Sequence, residues 1–405
     1  MTAKILIVGG FVRDRFLKKP SHDIDFIVVG MTKEEFLRLH PDAQEVGKDF
    51  PVFKLHGEDY AFARRERSTG PGYNDFECEF HPEVTLEDDL NRRDLTINAI
   101  AMCPETGQIV CPPTAMDDLE LKVLRHVSDA FREDPLRVFR LARFYSGLDD
   151  FTIHPTTVEL VRGMKDLLPA LDSERVWTEV EKALHHYKPS KFFEALRQLD
   201  ALDYWFPELK ELMGVVAGPP EWHPEEDTWV HSMDALDLVA RMTDDPMARW
   251  SALVHDLGKG TTDKDLLPRH KGHDERGLVE IEKLCDRLGV PKKFRRSALL
   301  FCEEHMRFHL FKELNPGKAV TLLLKMGKTP MGILGTLCCA VADSMNLQES
   351  KFLKRAHDHL LTIRLPEHHQ GRGLISGEIL LSLRAHEWKH LRNQRWKDEE
   401  TSIQE

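Results

Sequence analysis

Two carboxylates stand one residue apart at the start of an apolar run near the N-terminus. Asp23 and Asp25 precede the apolar residues 26–29, which are typical of a buried strand. Alternate residues on a strand project from the same face, so we expect the two carboxylates to lie side by side. Oxygen ligands of this kind bind hard cations such as Mg²⁺, and Asp23 and Asp25 are therefore candidate catalytic, metal-binding residues.

A double glycine precedes this pair and completes the pattern of a phosphate site. Gly9 and Gly10 follow the apolar residues 5–8 and allow backbone N–H groups to approach a phosphate where the next helix begins. Arg13 can bind a phosphate through two hydrogen bonds, while Asp14 can instead orient that guanidinium. Phosphate, carboxylates and Mg²⁺ together indicate phosphoryl or nucleotidyl transfer by a two-metal arrangement.

Each of these features has an ordinary structural explanation when it stands alone. An isolated Asp-x-Asp is usually a solvated turn or a pair of helix caps, and an isolated Gly-Gly is usually a turn. Here both fall in one strand–turn–helix–strand unit, in the order that the chemistry needs. This combination favours the catalytic interpretation. Asp59, in a strand-like segment, is either a third carboxylate of the site or an exposed charge at a strand end.

Two further charged motifs precede segments that we predict to be helical. Residues 92–94 read Arg-Arg-Asp and come before residues 95–102, while residues 133–137 read Glu-Asp-Pro-Leu-Arg. Asp94 alone would be a helix cap. Pro135 favours the first helical position and makes Asp134 a natural cap as well.

The second motif also has the chemistry to read a base by its edge. Arg137, Arg140 and Arg143 are spaced three apart and fall on one helix face, where they bind a nucleotide or are surface charges. A carboxylate at Asp134 can accept from the amino group of cytosine or adenine, and a guanidinium can donate to the neighbouring ring acceptor. Uracil and guanine present a carbonyl in place of that amine, so such a pair would select CTP and ATP.

A second cluster of polar residues interrupts an apolar helical pattern later in the chain. His255 and Asp256 end such a run, and His231 precedes another helix. Burying these groups unpaired would cost several kcal/mol, a cost that a metal ion removes. Imidazole with carboxylate suits Mn, Fe, Co, Ni or Zn better than Mg. Three further histidines are candidates for a second metal or for phosphate, and each alone is more often a surface residue: His270, His273 and His305.

Composition limits the class of protein. The chain has 405 residues, 41% hydrophobic residues and a formal net charge of −12. No apolar run approaches the length of a membrane span, and scattered cysteines without a C-x-x-C pair fit a cytoplasmic protein with reduced thiols. The acidic balance counts against a sequence-blind RNA binder, but a basic stripe can hold a compact RNA recognised by shape.

The periodicity of the apolar residues predicts an α+β fold and divides the chain into regions. Residues 1–110 alternate apolar strands with short helices and predict a small α/β head domain with about five strands, while the 3.6-residue period dominates from residue 111 onward. We expect four regions: a head at 1–110, a helical neck at 111–215, a metal-binding helical domain at 216–345 and a helical tail at 346–405. Residues 119–124 are among the predicted neck helices.

The motifs together resemble the signature of the class II nucleotidyltransferases, which include CCA-adding enzymes and bacterial poly(A) polymerases. The similar segments are GGFVRD at 9–14, DID at 23–25, RRDLTINA at 92–99 and EDPLR at 133–137. The H…HD pattern of His231, His255 and Asp256 resembles the HD phosphohydrolases. It narrows the resemblance to bacterial CCA-adding enzymes with an appended HD domain.

The resemblance implies roles for individual residues. Asp23 and Asp25 would bind Mg²⁺, Gly10 and Arg13 would bind the triphosphate, and Arg93 would contact the nucleotide while Asp94 and Asn98 lie near the ribose. The protein-side template would be formed by Glu133, Asp134 and Arg137, with Arg140 and Arg143 also binding the nucleotide. Asp343 would complete the HD ligand set of His231, His255 and Asp256.

The resemblance also implies substrates and partners. The enzyme would add C, C and A to a tRNA 3′ end from CTP and ATP. Its HD site, holding a transition metal such as Ni²⁺ or Mn²⁺, would act as 2′,3′-cyclic phosphodiesterase, 2′-nucleotidase and phosphatase. Both a monomer and a homodimer fit the sequence.

Three alternatives are weighed against this reading. A bacterial poly(A) polymerase shares the head motifs but usually has a longer basic tail and no HD stretch. An HD phosphohydrolase with an inactive head would predict loss of Asp23 or Asp25, and both are present. A non-catalytic tRNA-binding protein would leave two metal sites unexplained.

Overall fold

The structure is a computed structural model that describes residues 3–21, 23–46, 52–68, 76–219 and 227–403. Its mixed sheet and many helices confirm the predicted α+β class. Two compact units divide the chain: Met1–Val180 with Lys191–Tyr204, and Glu181–Ser190 with Trp205–Glu405. Within the described ranges, no helix has the length and apolar character needed to cross a bilayer.

The strands lie in the first unit. They are β1 (Lys4–Val8), β2 (Asp25–Val29), β3 (Gln44–Val46), β4 (Val52–Leu55), β5 (Glu58–Phe62), β6 (Arg65–Ser68), β7 (Phe76–Glu79), β8 (Ala101–Met102), β9 (Ile109–Val110), β10 (Val123–Leu124) and β11 (Thr152–Ile153).

One mixed sheet organises the head. In the described residues it has seven strands in the order β3-β4-β5-β2-β1-β8-β9. Strand β2 is antiparallel to β1 and parallel to β5, and the second pairing sets Asp25 opposite Asp59. Both faces of β2 are buried, because Ile27 packs in one core cluster and Val28 in another. A strand covered on both faces has the continuous apolar sequence that residues 26–29 show.

Helices make up most of the remaining described chain. They are α1 (Gly10–Phe16), α2 (Lys33–Leu39), α3 (Leu86–Asn91), α4 (Ala115–Glu120), α5 (Arg137–Gly147), α6 (Pro155–Arg162), α7 (Ser173–Leu184), α8 (Ser190–Gln198), α9 (Pro207–Lys210), α10 (Thr228–Met242), α11 (Pro246–Val254), α12 (His273–Leu288), α13 (Lys292–His309), α14 (Pro316–Met326), α15 (Gly332–Asp343), α16 (Leu347–Thr362) and α17 (Leu374–Ile403).

Two predicted helices are wrong. Residues 95–102 form a short 3₁₀ turn, Thr96–Asn98, followed by β8, because Met102 pairs with Ile7 of β1 and the tertiary pairing overrides the local pattern. The helix expected at 119–124 ends at Glu120. Lys122 has a φ of 57°, and β10 follows it. The sheet also has more strands than expected, since β3, β8 and β9 are too short to show an alternating pattern.

Helix starts fix where the polar residues of the second unit lie. The Asp227 side chain accepts hydrogen bonds from the N–H groups of Trp229 (2.8 Å) and Val230 (3.2 Å), which begins α10 and sets His231 in its first turn. Helix α11 begins at Pro246 after the cap Asp245 and ends just before His255. The sequence therefore positions both histidines at helix ends.

Candidate active sites

A cleft of about 1190 Å³ in the first unit collects most of the predicted head residues. The predicted residues that line it are Gly10, Arg13, Asp25, Arg93, Asp94, Asp134, Arg137 and Arg140, joined by Asp59, Asp89, Arg92, Asn98, Phe144 and Arg175. Three predicted residues, Asp23, Glu133 and Arg143, are outside this lining. The cleft therefore unites motifs that lie more than a hundred residues apart in the sequence.

The carboxylates meet at one end of β2, though not in the way that strand alternation predicts. Asp25 is the first residue of β2, whereas Asp23 precedes the strand, so the two do not share a strand face. Partial burial raises the pKa of Asp25. The positive charge of Arg93 opposes this rise, and the negative charges of Asp59 and Asp23 add to it. Three carboxylates close enough to repel one another form a set that a cation would stabilise.

The double glycine turns the chain next to these carboxylates. Gly9 has a φ of 81°, in the region that side chains disfavour. A Cβ atom built on Gly9 would lie 3.4 Å from the Arg93 guanidinium, and one on Gly10 would lie 3.6 Å from that of Arg13. The backbone of this turn is thus held beside two guanidinium groups.

Arg13 begins a chain of polar contacts that crosses the head. Its Nε donates to Asp14 at 2.8 Å, as the sequence suggested, and its Nη1 donates to Asn98 Oδ1 at 2.6 Å. Asn98 Nδ2 donates to Asp94 Oδ1 at 3.1 Å. The Asp94 Oδ2 atom accepts from Arg140 Nε at 2.9 Å. This chain, which we call the Asp94 network, fixes the orientation of Arg13.

Asp94 is the buried centre of that network. It is 6% exposed. Burial alone would raise its pKa, but the charge of Arg140 and the hydrogen bonds from Asn98, Arg140 and the Leu95 N–H lower it to about 2. Asp94 is not a helix cap, because Leu95 holds the N-cap position of the 3₁₀ turn without a side-chain cap hydrogen bond. Asp94 instead joins this turn to α5 through Asn98 and Arg140.

A neighbouring buried carboxylate, which sequence analysis missed, organises the arginine pair. Asp89 is 1% exposed, and its oxygens accept from Arg92 Nη2 at 2.9 Å and from Arg93 Nε at 3.1 Å. The signal was present, because Asp89 precedes these arginines by three and four residues, the spacing of helical neighbours. Arg93 also reaches the Asn98 carbonyl at 3.5 Å.

The start of α5 holds the predicted base-reading pair. Asp134 Oδ1 accepts from the Leu136 N–H at 3.1 Å, and its Oδ2 accepts from Arg175 Nη2 at 2.9 Å. The predicted helix cap at Asp134 is wrong, because α5 begins at Arg137 with Leu136 at its N-cap position, and Pro135 lies in the turn before the helix. Arg137 is 7% exposed and donates to the Ala130 carbonyl at 2.7 Å. Arg175 was missed, since a lone arginine in an amphipathic helix carries no distinguishing signal.

Two other arginines of α5 are held by carboxylates and by an aromatic ring. Arg140 pairs with Asp94, and Arg143 donates to Glu179. The guanidinium carbons of Arg140 and Arg143 lie 5.7 and 4.2 Å from the centre of the Phe144 ring. Arg140 and Arg143 are therefore not free surface charges. Their part in nucleotide binding stays a prediction.

The second unit contains two overlapping groups of potential metal ligands. His231, His255 and Asp256 form one, with their ligand atoms within 4.8 Å of one another, and Asp256, His273 and His305 form the other. All five side chains are buried. Asp256 belongs to both groups, so its two oxygens can serve two neighbouring ions. We call this set the HD cluster.

Three of the imidazoles are oriented by backbone carbonyls three residues earlier in the chain. His255 Nδ1 lies 2.8 Å from the Ala252 carbonyl oxygen. His273 Nδ1 lies 2.8 Å from the His270 carbonyl oxygen, and His305 Nδ1 lies 2.7 Å from that of Cys302. Donation from Nδ1–H leaves the Nε2 lone pair directed into the cluster, as in metal-binding histidines.

Two of these rings approach each other closely through their Nε2 atoms. Nε2 of His273 lies 2.9 Å from Nε2 of His305. Two lone pairs at this distance repel each other unless a proton or a cation lies between them. Burial lowers the pKa of His305 to about 4. Burial also opposes protonation of His273, but the hydrogen bond and charge of Asp256 raise the pKa of His273, so a proton between the two rings belongs to His273. Nitrogen donors with a carboxylate suit a transition metal better than Mg²⁺.

The remaining predicted HD residues fall in different places. Asp343 lies beside the first group, with Oδ1 3.6 Å from Nε2 of both His231 and His255. His270 belongs to neither group, because its ring nitrogens contact Thr262 Oγ1 at 2.9 Å and the Val216 carbonyl at 2.6 Å. Of the three histidines left open by the sequence, two therefore join the HD cluster and one supports the surrounding loop.

Sequence analysis missed a histidine and a lysine at this site. His309 Nε2 lies 2.8 Å from Asp343 Oδ2, and His309 follows His305 by one helical turn of α13, a spacing that could have revealed it. Lys259, which is 5% exposed, lies 2.8 Å from Asp256 Oδ2. Burial would raise the pKa of Asp256, but the charges of His255 and Lys259 and a hydrogen bond from His273 hold it well below its usual range.

Glycine lets the chain after Asp256 approach α12 closely. A Cβ atom on Gly258 would lie 2.0 Å from the His273 carbonyl oxygen and 2.5 Å from the Gly277 backbone nitrogen. This contact brings Asp256 and His273, on separate segments, into one cluster.

Comparisons with known proteins assign the parts of the chain to known domain families. Family models match residues 5–125 (Poly A polymerase head domain), 150–213 (probable RNA and SrmB-binding site of polymerase A) and 228–346 (HD domain). These matches define a nucleotidyltransferase head joined to an HD domain, two classes of domain that depend on metal ions.

Curated relatives identify the family. A "Multifunctional CCA protein" of Shewanella frigidimarina is 45% identical over 349 residues, which are 84% of this chain and 83% of the relative. Another of the same description, from Psychromonas ingrahamii, is 43% identical over 84% of each chain. The chain belongs to the family of multifunctional CCA proteins, which confirms the predicted family and the prediction of an enzyme.

Solved structures share the fold. The Thermotoga maritima CCA-adding enzyme complexed with tRNA matches with a TM-score of 0.64, 19% identity, and coverage of 98% of this chain and 91% of that one. A CCA-adding enzyme in complex with CTP matches with a TM-score of 0.64, 20% identity, and coverage of 96% and 87%.

The pairing of Asp94 with Arg140 predicts a pH-dependent loss of stability in Asp94→Asn. The folded pKa of about 2 lies below the ordinary value of 3.8, so the charged form stabilises the fold above pH 3.8, and this contribution is lost as the pH falls toward 2. We expect Asp94→Asn to lower the free energy of unfolding by about 2 kcal/mol at pH 7 and by less at pH 3.

Urea titrations followed by circular dichroism at pH 7, 5 and 3 measure this difference. Asp149→Asn, at an exposed position of the same unit, is the control and should match the wild type within about 0.5 kcal/mol at each pH. A deficit in Asp94→Asn that is the same at every pH would contradict the electrostatic origin.

The close approach at Gly258 predicts that Gly258→Ala disrupts the HD cluster. The added methyl group would clash with backbone atoms of α12 that cannot rotate away, so we expect destabilisation of at least about 1–3 kcal/mol. Gly377→Ala, on α17 with nothing near its Cβ position, is the matched control and should be neutral or slightly stabilising. Thermal unfolding of both variants compares them, and equal midpoints would refute the close-contact argument.

Proposed function

We propose that this protein is a tRNA nucleotidyltransferase that adds C, C and A to a tRNA 3′ end from CTP and ATP without a nucleic-acid template. The observation that carries the proposal is the single cleft in which Asp25, Arg13, Asp134 and Arg137 meet. Metal-binding, phosphate-binding and base-reading groups must act on one nucleotide together. Here candidates for all three roles line one continuous cleft. In this proposal the head is residues 1–110, the neck 111–215, the HD domain 216–345 and the tail 346–405.

The carboxylate set of the head fits Mg²⁺. Asp25, Asp59 and Asp23 offer oxygen donors alone. Burial, with the negative charges of Asp59 and Asp23, raises the pKa of Asp25, and a bound cation would offset this rise. Bound there, Mg²⁺ would supply the positive charge that stabilises the triphosphate and the leaving pyrophosphate. We assign Asp23 and Asp25 as the catalytic, metal-binding pair, with Asp59 as an additional carboxylate opposite Asp25.

The triphosphate would be held by the glycine turn and its arginine neighbours. The Gly10 backbone is beside Arg13, whose guanidinium is fixed by Asp14 and Asn98, so it meets a phosphate without first losing side-chain freedom. Arg93, held by Asp89, would contribute a second positive charge in the same cleft. Fixed donors stabilise charge at little reorganisation cost.

Base selection would fall to the start of α5. Asp134 is fixed by the hydrogen bond from the Leu136 N–H and by Arg175, and Arg137 is fixed by the Ala130 carbonyl, so both present defined edges. An acceptor beside a donor matches the amino group and ring nitrogen that cytosine and adenine share. Glu133, Arg140 and Arg143 would support this part of the site, with Arg140 acting through Asp94.

We propose a second activity at the HD cluster, favoured by its nitrogen-rich donor set. His231, His255 and Asp256 with Asp343 would hold a transition metal such as Ni²⁺ or Mn²⁺, and Asp256, His273 and His305 would hold another. Ions bound there would supply Lewis acidity toward a phosphate ester. The substrates would be 2′,3′-cyclic phosphates, 2′-nucleotides and phosphomonoesters, because a damaged 3′ end must become a free hydroxyl before nucleotides are added.

The proposed substrates also indicate the partner of the enzyme and its location in the cell. The partner is tRNA, held by basic side chains of the first unit rather than by the net charge of the chain, which is −12. We propose a cytoplasmic location, where tRNA and nucleoside triphosphates are found together. A poly(A) polymerase is the alternative for the head, and the length of the added tail distinguishes the two.

Reciprocal variants test whether the two chemistries are separate. We expect Asp25→Asn to lower nucleotide addition by at least about 100-fold and to spare hydrolysis of a 2′,3′-cyclic phosphate, while Asp256→Asn does the reverse, because even outer-shell partners of a metal cost about 10- to 100-fold.

Primer extension on tRNA transcripts lacking CCA, with each nucleotide alone and with CTP plus ATP, measures addition. Growth that stops at CCA supports the proposal, whereas an open-ended run of A would replace it with a poly(A) polymerase. Loss of both activities in either variant would show that the sites are not independent.

The base-reading pair predicts that Asp134→Asn relaxes nucleotide selection. An amide can donate where the carboxylate only accepts, so a carbonyl-bearing base is no longer refused. We expect the preference for CTP over UTP to fall by about 10- to 100-fold. This change corresponds to the loss of one contact to a base edge, which contributes about 1–3 kcal/mol of discrimination. Single-turnover incorporation of each nucleotide measures the ratio, with Asp149→Asn as control. An unchanged ratio with a lower rate for both nucleotides would assign Asp134 a purely structural role.

A further inference from the structure

One face of helix α5 lines the cleft of the first unit. Arg137, Arg140 and Phe144 are all part of the cleft lining, and steps of three and four residues place them on the same side of the helix. Arg137 belongs to the proposed base-reading pair, whereas Phe144 lies seven residues further on, about 10 Å along the helix axis. The half-buried Phe144 ring is the part of this face to which the proposed function gives no role.

Three guanidinium groups approach the Phe144 ring. The guanidinium carbon of Arg143 lies 4.2 Å from the ring centre, that of Arg13 lies 5.3 Å away and that of Arg140 lies 5.7 Å away. The face of an aromatic ring carries partial negative charge and attracts a cation within about 6 Å of its centre. The ring is thus a common contact for two arginines of its own helix and for one arginine of α1.

The contact with Arg13 differs from the other two. Arg140 and Arg143 precede Phe144 on the same helix by four residues and by one, so sequence spacing alone brings them near the ring, and each also pairs with a carboxylate, Asp94 or Glu179. Arg13 lies on α1, and its contact with the ring joins two separate elements of the first unit. The Arg13 contact therefore reflects the tertiary structure of the cleft.

The contacts of Arg13 leave part of its guanidinium available to a ligand. Its Nε and Nη2 donate to Asp14, and its Nη1 donates to Asn98. Within the described part of the chain, these hydrogen bonds use three of the five N–H groups that a guanidinium carries. The Phe144 ring attracts the positive charge through its face, a contact that needs none of the conventional hydrogen-bond acceptors. Arg13 can thus be held in place while N–H groups remain for a phosphate.

From these contacts, we propose that Phe144 is a positioning residue that holds Arg13 in the orientation needed to bind the triphosphate of the incoming nucleotide. The inference rests on the proposed nucleotidyltransferase activity and deepens it. The helix that reads the base at its start would also fix, near its end, the group that binds the phosphates. The separation of about 10 Å along α5 is comparable to the length of an extended nucleoside triphosphate, so one rigid helix would set the spacing of the two subsites.

Two substitutions separate the aromatic ring from the volume that it fills. Phe144→Leu keeps an apolar side chain without an aromatic face, and Phe144→Tyr keeps the face. Tyr145→Leu is the matched control, because Tyr145 is the next residue of α5, lies outside the cleft lining and has Lys191 Nζ 5.0 Å from its ring centre. The control removes a ring with a cation contact from the same helix, at a place away from Arg13.

Equilibrium dialysis of CTP and of ATP against the full-length protein with Mg²⁺ measures nucleotide binding in the absence of tRNA. We expect Phe144→Leu to weaken the binding of both nucleotides about 10-fold, and Phe144→Tyr and Tyr145→Leu to stay within about 2-fold of the wild type. The ratio of the two affinities should not change, because the ring acts on the triphosphate. No loss in Phe144→Leu, an equal loss in Phe144→Tyr or Tyr145→Leu, or a loss confined to one base would overturn the proposal.

A double-mutant cycle with Arg13→Gln tests whether the ring acts through Arg13. We expect Phe144→Leu to weaken CTP binding about 10-fold in the wild-type background and less than about 2-fold in the Arg13→Gln background, because the guanidinium that the ring orients is then missing. A merely structural role of the ring would give the same loss in both backgrounds, and that result would contradict the inference.

Primer extension on tRNA transcripts lacking CCA separates this inference from the activity on which it rests. We expect Phe144→Leu to lower kcat/KM for CTP about 10-fold, chiefly through KM. If the wild type binds CTP but extends no tRNA, the proposed nucleotidyltransferase fails, and the cycle still decides the role of Phe144. If the wild type extends tRNA and the two losses simply add, this inference alone fails. Absence of CTP binding by the wild type would refute both.

Discussion

A buried carboxylate must be paired, and each of the two sites is arranged around one. Asp94 is 6% exposed and Asp256 is 1% exposed. An unpaired charge at either place would cost several kcal/mol, so the positive or hydrogen-bonding groups around it are requirements of folding before they are features of a mechanism. In the head, pairing with Arg140 and Asn98 also fixes Arg13 in the cleft. The orientation of Arg13, which we propose binds the triphosphate, is thus a consequence of neutralising Asp94.

The two carboxylates differ in what surrounds them, and this difference separates their chemistry. Asp94 meets a guanidinium, which remains charged at every relevant pH, so the pairing is permanent. Asp256 meets Lys259 and several imidazoles whose Nε2 lone pairs face one another. The negative charge of Asp94 is therefore neutralised by groups of the protein alone. The second environment gathers the buried imidazoles of His231, His255, His273 and His305 around one carboxylate, a donor set that suits a transition metal.

Sequence analysis predicted what local spacing encodes and missed what tertiary structure brings together. The motifs at Gly9, Asp25, Asp94 and Asp134 contain many of the cleft residues, and the β2 strand followed from composition. The cap predicted at Asp134 from the position of Pro135 is wrong, because α5 begins two residues later than expected, at Arg137. Arg175 could not be foreseen, because its pairing with Asp134 spans 41 residues. The helix expected at 95–102 failed for the same reason, since β1 supplies a strand partner that a local pattern cannot show.

The donor sets account for the two kinds of ion that we propose for the two sites. The head offers carboxylate oxygens alone, which favour a hard cation that retains part of its water shell, as Mg²⁺ does. The HD cluster offers imidazole nitrogens, for which Ni²⁺ and other later transition metals have much higher affinity. Exchanging the ions would leave Mg²⁺ with poor ligands in the second unit. In the head, a transition metal would compete only through weak oxygen donors against a far larger supply of Mg²⁺. Ligand type thereby sorts the metals, and the sorting requires no contact between the two sites.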